Sequence, residues 1–282
     1  MDLFTFTFLT LPPLCFRYSG KSLALAELGP WQALLAVAVV YTLIELIRYS
    51  ARQWRFRPFI HELRRQQPAY YLSLPAAQQK EFEKRLAQFI LQKNFVPRGE
   101  RFEVTLAMKV RIAACATQLT FGLGPVYLSH FKTILIYPDR YYSTISKRYH
   151  CGEVNMRGLI VLSWRDFESG YDNYTDGLNL GLHEMAHALH LENVIQNNEH
   201  SFLDRQHLQT WDKLAKTEIA KMSMVPASFL RQQACDDEHE FFAVCVESFF
   251  ERPHDFRLSN PELYEALSQL LQQDPARGVY QL

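Results

Sequence analysis

The stretch Gly181–His190, GLHEMAHALH, decides how the rest of the chain is read. It contains His-Glu-x-x-His. On an α-helix His183 and His187 stand one turn apart and project from one face. Two neutral imidazoles at that separation can close on one zinc ion. Glu184 sits beside them, able to take a proton from an attacking water. Leu178, Leu180, Leu182, Met185, Ala186, Ala188 and Leu189 leave little polar surface apart from the motif, which predicts a buried helix. The bland reading is an amphipathic helix with two structural histidines. Asp176-Gly177 is expected to supply the turn and N-cap.

A catalytic zinc usually holds three protein ligands. His190 lies nearly two turns beyond His183, too far along a straight helix to bend back, and is expected to be structural. Where the metzincin pattern requires Gly and a third His, this chain has His190 and Asn193. Attention therefore moves to Asp236–Phe250, an apolar helix that carries Glu240 and Glu247 on one face. A core carboxylate needs a partner. Glu240 reads as a metal ligand. It reads equally as the N3 residue of a capping box begun by Asp237. Glu247 is expected to accept the outer N–H of a ligand histidine.

The chain has 282 residues, room for one large domain or two small ones. Hydrophobic residues make up 48% and aromatics 13%, enough for a sizeable core. Basic and acidic residues balance at 30 each, so no overall field recruits nucleic acid. Five cysteines without a C-x-x-C pair fit a reduced compartment better than a disulfide framework.

Residues 1–58 read as a separate N-terminal hydrophobic region. Leu3–Phe16 is apolar but broken by Pro12-Pro13, and lacks the basic start of a signal peptide. Trp31–Ile47, WQALLAVAVVYTLIELI, is at the short edge of a transmembrane helix, which needs about 20 apolar residues. Arg48, Arg52, Arg55 and Arg57 follow it, while only Arg17 and Lys21 precede it. A span over 31–47 would therefore keep the rest of the chain, 59–282, in the cytoplasm. The alternative is an interfacial or packed helix on a cytoplasmic protein.

Downstream, helices are expected over Ala76–Asn94, Glu103–Phe121, Phe202–Met224, Asp237–Glu251 and Pro261–Gln273. Thr133–Tyr137 and Leu159–Trp164 read as strands. Leu159–Ser163 is the candidate edge strand for holding a substrate backbone. Asn193–His200 reads as a loop and Pro226 as a break.

Several of these motifs stand together in a familiar order: Val110–Ala116, Ile134–Pro138, Gly152-Glu153, Val161–Trp164, Asn179–His187 and Glu240–Val244. The chain resembles the Mlc titration factor A family of zinc-dependent peptidases over roughly residues 75 to 275. The resemblance implies an α+β, zincin-like (gluzincin) domain, mainly helical with a small sheet, similar to the catalytic domain of anthrax lethal factor. It implies Zn2+ held by His183, His187 and Glu240, with Glu184 as catalytic base. It also implies aminopeptidase-like hydrolysis of a peptide or protein substrate, and binding of a transcriptional regulator. The alternative is a catalytically weak or inactive scaffold that binds such a partner. Two departures stand out. Gln233 replaces the tyrosine that the family often places seven residues before the third ligand, with Tyr171, Tyr174 or His239 as candidate substitutes. The hydrophobic N-terminus, a possible membrane anchor, is absent from the soluble members.

Overall fold

The computed structural model describes residues 29–143, 147–195, 202–224 and 228–278. The apolar stretch 3–16, residues 196–200 of the expected loop, and Pro226 lie outside them. The four described cysteines, Cys115, Cys151, Cys235 and Cys245, are free thiols.

Helix α1 runs over Pro30–Gln66, and residues 29–55 are all exposed. Among the described residues it is the helix long and apolar enough to cross a membrane by length and composition. Pro58 is accommodated inside it.

Phe56–Leu282 forms a compact unit. It is mostly helical with a small sheet. The end of α1 belongs to it: Phe56 and Leu63 are buried, and Arg64 Nε donates to Glu83 at 2.8 Å. After α2 (Ala69–Ser73) and α3 (Ala76–Gln92) comes β1 (Asn94–Pro97), a strand the periodicity does not announce. Next is α4 (Leu106–Thr120), capped by Thr105 Oγ1, which accepts from Met108 N. Most of it is buried, through Val110, Ile112, Ala113, Ala114 and Cys115, while Lys109, Arg111 and Gln118 stay half-buried.

Strand β2 (Thr133–Tyr137) is followed by the hairpin β3 (Tyr141–Ser143) and β4 (Arg148–His150), then by β5 (Gly152–Asn155) and β6 (Leu159–Ser163). The main sheet has the order β1-β2-β6-β5. β1, β2 and β6 are parallel, and β5 runs antiparallel to β6, with Glu153 opposite Val161. This corrects the edge-strand expectation. Leu159–Ser163 pairs on both sides and is interior, as its apolar side chains require. The edge is β5.

Trp164 opens α5 (Trp164–Ser169) instead of ending β6, because Ser163 caps that helix. The motif helix α6 covers Leu180–Ile195, so Asn193–Ile195 is helical and not loop. α7 (Arg205–Met224), α8 (Glu238–Glu251), α9 (Pro253–Ser259) and α10 (Pro261–Leu271) complete the unit. Trp211 on α7 lies against Phe241 and Phe242 of α8, with ring centroids 5.9 and 5.6 Å apart. Phe249 of α8 meets Tyr264 of α10 at 5.1 Å. α8 thus runs through the core, which fixes the face on which its carboxylates emerge.

Candidate metal centre

Helix α6 begins at a cap other than the expected one. Asn179 Oδ1 accepts from Leu182 N at 3.0 Å, and Asn179 O accepts from His183 N. Asp176 instead closes a small turn, accepting from Leu178 N at 2.9 Å. The cap is tied to α8: Asn179 N donates to Glu247 Oε2 at 2.6 Å, and Asn179 Nδ2 donates to Glu251 Oε1 at 3.0 Å. Its own amide also reaches the Gly170 carbonyl. An asparagine immediately before the first periodic residue is an N-cap signal, and the earlier Asp-Gly pair masked it.

One turn into α6, His183 and His187 bring their Nε2 atoms to 3.0 Å of each other. Glu240, on the first turn of α8, places Oε2 3.3 Å from His183 Nε2 and Oε1 3.3 Å from His187 Nε2. Each residue offers one ligand atom to a group whose members lie within 4.8 Å of one another. Bonds of roughly 2.0–2.1 Å in a tetrahedron put neighbouring donor atoms about 3.3 Å apart, which matches these separations. The donor set of two imidazoles and one carboxylate therefore fits a divalent ion.

The capping alternative for Glu240 separates into two residues. Asp237 is the cap, and its Oδ1 accepts from His239 N and Glu240 N. The Glu240 carboxylate does not return to the helix start but faces the histidines, and Oε2 also accepts from Gln233 Nε2 at 2.7 Å.

Behind the first histidine, Glu247 Oε1 is 2.7 Å from His183 Nδ1. Accepting there holds a proton on Nδ1 and makes Nε2, which faces Glu240 and His187, the nitrogen a metal ion would take. Arg231 donates to the same oxygen. Its position in an irregular segment before α8 gave the sequence no periodic signal.

The field at the site favours positive charge. Burial works against a charged His183, but hydrogen bonds to Glu240 and Glu247 outweigh it and lift the imidazole to about 10. Burial pushes Glu240 up, and the two histidines then hold it well below the usual carboxylate range. Glu184, only 5% exposed, is raised to about 8, by burial first and by Glu240, Glu247 and Glu153 after that, with His183 opposing. A carboxyl in such surroundings binds a proton readily.

Glu184 is wedged against the edge strand. A Cβ on Gly152 would stand 2.2 Å from Glu184 Oε1, so only glycine lets β5 approach this closely. On the other side, a Cβ on Gly181 would stand 2.6 Å from the Phe167 ring, which fixes the seat of α6. The resulting cleft is about 750 Å3 and is bordered by Gly152, Glu153 and Val154 of β5 as well as by the histidines.

His190 is turned away from the cluster. Its ring packs on His239 at 4.7 Å and Phe242 at 5.5 Å, and burial, with His239 and His187 nearby, lowers it to about 4. Of the substitutes considered for the missing tyrosine, only His239 borders the cleft. Tyr171 and Tyr174 line a separate cavity with Cys115 and Arg111.

The profile of the family described as glucose-regulated metallo-peptidase M90 matches residues 45–272. The sequence is also similar to Mlc titration factor A of Escherichia coli O7:K1, at 29% identity over 211 residues, 68% of this chain and 78% of that one. Mlc titration factor A of Edwardsiella ictaluri is 28% identical over 211 residues, covering 69% and 80% of the two chains. An uncharacterized Synechocystis protein, slr2042, is 25% identical over 214 residues, covering 70% and 78%.

Proposed function

The chain belongs to the glucose-regulated metallo-peptidase M90 family, and on that premise we propose that it is a zinc-dependent peptidase of the gluzincin kind. His183, His187 and Glu240 are its metal ligands and Glu184 is its general base. The observation that carries this reading is the convergence of His183 Nε2, His187 Nε2 and the Glu240 carboxylate at 3.0–3.3 Å from one another.

Zinc bound there supplies Lewis-acid polarisation of the scissile carbonyl and acidifies the attacking water. Glu184, held between α6 and β5, takes the water proton and delivers it to the leaving amine. Glu247 fixes the His183 tautomer. The outer edge of β5 receives the substrate backbone as an added strand, because among the described residues no strand pairs with that side. Aminopeptidase-like action on a peptide or protein fits a cleft of this size.

Residues 59–282 form the peptidase domain of this proposal, and 1–58 carry a membrane anchor centred on 31–47. The exposure of Trp31–Ile47 and the arginines that follow support an anchor with the catalytic domain in the cytoplasm. The full chain should then stay with membranes through an alkaline wash that strips peripheral proteins.

A second reading has its own support. Gln233 stands where the family often has a tyrosine, and loss of an oxyanion donor costs on the order of 100-fold or more in rate. The chain would then be a weakly active zinc scaffold that binds a transcriptional regulator, as similarity to Mlc titration factor A suggests.

The deciding experiment assays the detergent-solubilised chain and its Glu184→Gln variant on unblocked peptides, with zinc content measured in parallel. The peptidase reading expects equal zinc and turnover lower by roughly 100-fold or more in the variant. Undiminished turnover in Glu184→Gln rejects the mechanism. Zinc-loaded wild type without turnover favours the scaffold.

A further inference from the structure

Gln233 and Arg231 sit in the short segment before α8, where Gln232–Cys235 makes one 3-10 turn. Their hydrogen bonds form a chain with a fixed direction. Arg231 Nη1 donates to Gln233 Oε1 at 3.4 Å. Gln233 Nε2 donates to Glu240 Oε2 at 2.7 Å. Arg231 Nη2 donates to Glu247 Oε1, the oxygen that also faces His183 Nδ1. A guanidinium has only donors and a carboxylate only acceptors, so the amide between them has one possible orientation. Its oxygen must face Arg231 and its NH2 must face Glu240.

We infer that Gln233 is a positioning residue for the third metal ligand, and that Arg231 and Gln233 together brace Glu240 and Glu247 for the ion. This rests on the reading of His183, His187 and Glu240 as the metal site. The Gln233 amide is committed to the ligand and not to the oxygen of a reacting carbonyl. Two contacts made by one turn thus reach two carboxylates on one face of α8, one facing both histidines and one standing behind His183. A charge-assisted hydrogen bond of this length restrains the plane of the carboxylate, and such outer contacts set metal affinity.

The test is zinc affinity, measured on the full chain in detergent by competition with a chromophoric chelator. Gln233→Met keeps the length of the side chain and removes the donor. Residue 233 is exposed, so the thermal midpoint of the metal-stripped variant should match wild type. Zinc should bind roughly 10- to 100-fold more weakly. Arg231→Lys keeps a cation for Glu247 but lacks the planar fork that also holds Gln233 Oε1. It should weaken zinc too, and combining it with Gln233→Met should cost less than the sum of the two.

Wild-type zinc affinity in Gln233→Met overturns the brace: with kcat lowered, Gln233 is an oxyanion donor, and with kcat unchanged, it is a surface contact. Glu240→Ala separates this from failure of the metal site itself. If that variant loses zinc while Gln233→Met keeps it, only the brace falls. If both keep it, the site assignment falls.

Discussion

Gly152 lies so close to Glu184 that a Cβ on the glycine would stand 2.2 Å from Oε1, 2.4 Å from Cδ and 2.6 Å from Cγ. Gly152→Ala must therefore move the glutamate or lift β5 from α6. A displacement of about 1 Å in a positioned catalytic group can cost on the order of 100-fold in rate. The expected result is a kcat/KM lower by about that factor with zinc content unchanged, since the three atoms nearest the added Cβ all belong to Glu184. Wild-type kinetics in Gly152→Ala would show that Glu184 has no need of its wedge.

Removing a ligand should separate metal binding from folding. Zinc that binds only the folded chain stabilises it by mass action, by about 2.7 kcal/mol when free zinc is 100 times its dissociation constant. The thermal midpoint of the stripped protein should rise on adding zinc. In His187→Ala and Glu240→Ala that rise should shrink or vanish. Calorimetry with and without a chelator reads it directly, and an unreduced rise in both variants contradicts the ligand set.

A glycine far from the cleft tests packing. Gly122 meets the end of α10 so closely that a Cβ would stand 2.3 Å from the backbone oxygens of both Leu271 and Gln272. Backbone cannot swing aside as a side chain can. Gly122→Ala should destabilise by about 1–3 kcal/mol through overpacking, read as a lowered urea midpoint at constant slope.

Alkaline stability should report on Lys93. Burial lowers its ammonium to about 8, with Glu192 opposing, although Nζ donates to the Leu128 carbonyl and lies 4.9 Å from the Phe89 ring centre. An unfolded lysine titrates near about 10.4. Between those values the unfolded chain holds the extra proton, so this group makes stability rise as pH increases through the window. Lys93→Met should lack that contribution. Denaturant titrations at pH 8 and 10 should give wild type a more positive change than the variant, and equal changes would refute the assignment.

Local pattern found the elements that carry a strong period. Thr133–Tyr137 and the body of α6 follow directly from alternation and from the motif. Leu159–Ser163 was legible as a strand, but its place between β2 and β5 is set by pairings distant in sequence. β1 and β5, four residues each, carry too little alternation to be read alone. At the site, His183, Glu184 and His187 were legible because one helical turn brings them together. Glu240 was ambiguous because the N3 residue of a capping box begun by Asp237 and a metal ligand look alike in sequence, and only tertiary packing turns its carboxylate to the histidines. Arg231 and Asn179 were missed as contributors, since their partners on α8 lie far along the chain.

Glu247 serves two masters: one oxygen meets His183, and the other receives the backbone N–H of Asn179 at the head of α6. Selection for a sturdy protein and selection for a working ion site therefore act on the same side chain. A descendant that lost turnover could not discard this carboxylate without loosening the helix it anchors, so the architecture of the centre would outlive its chemistry.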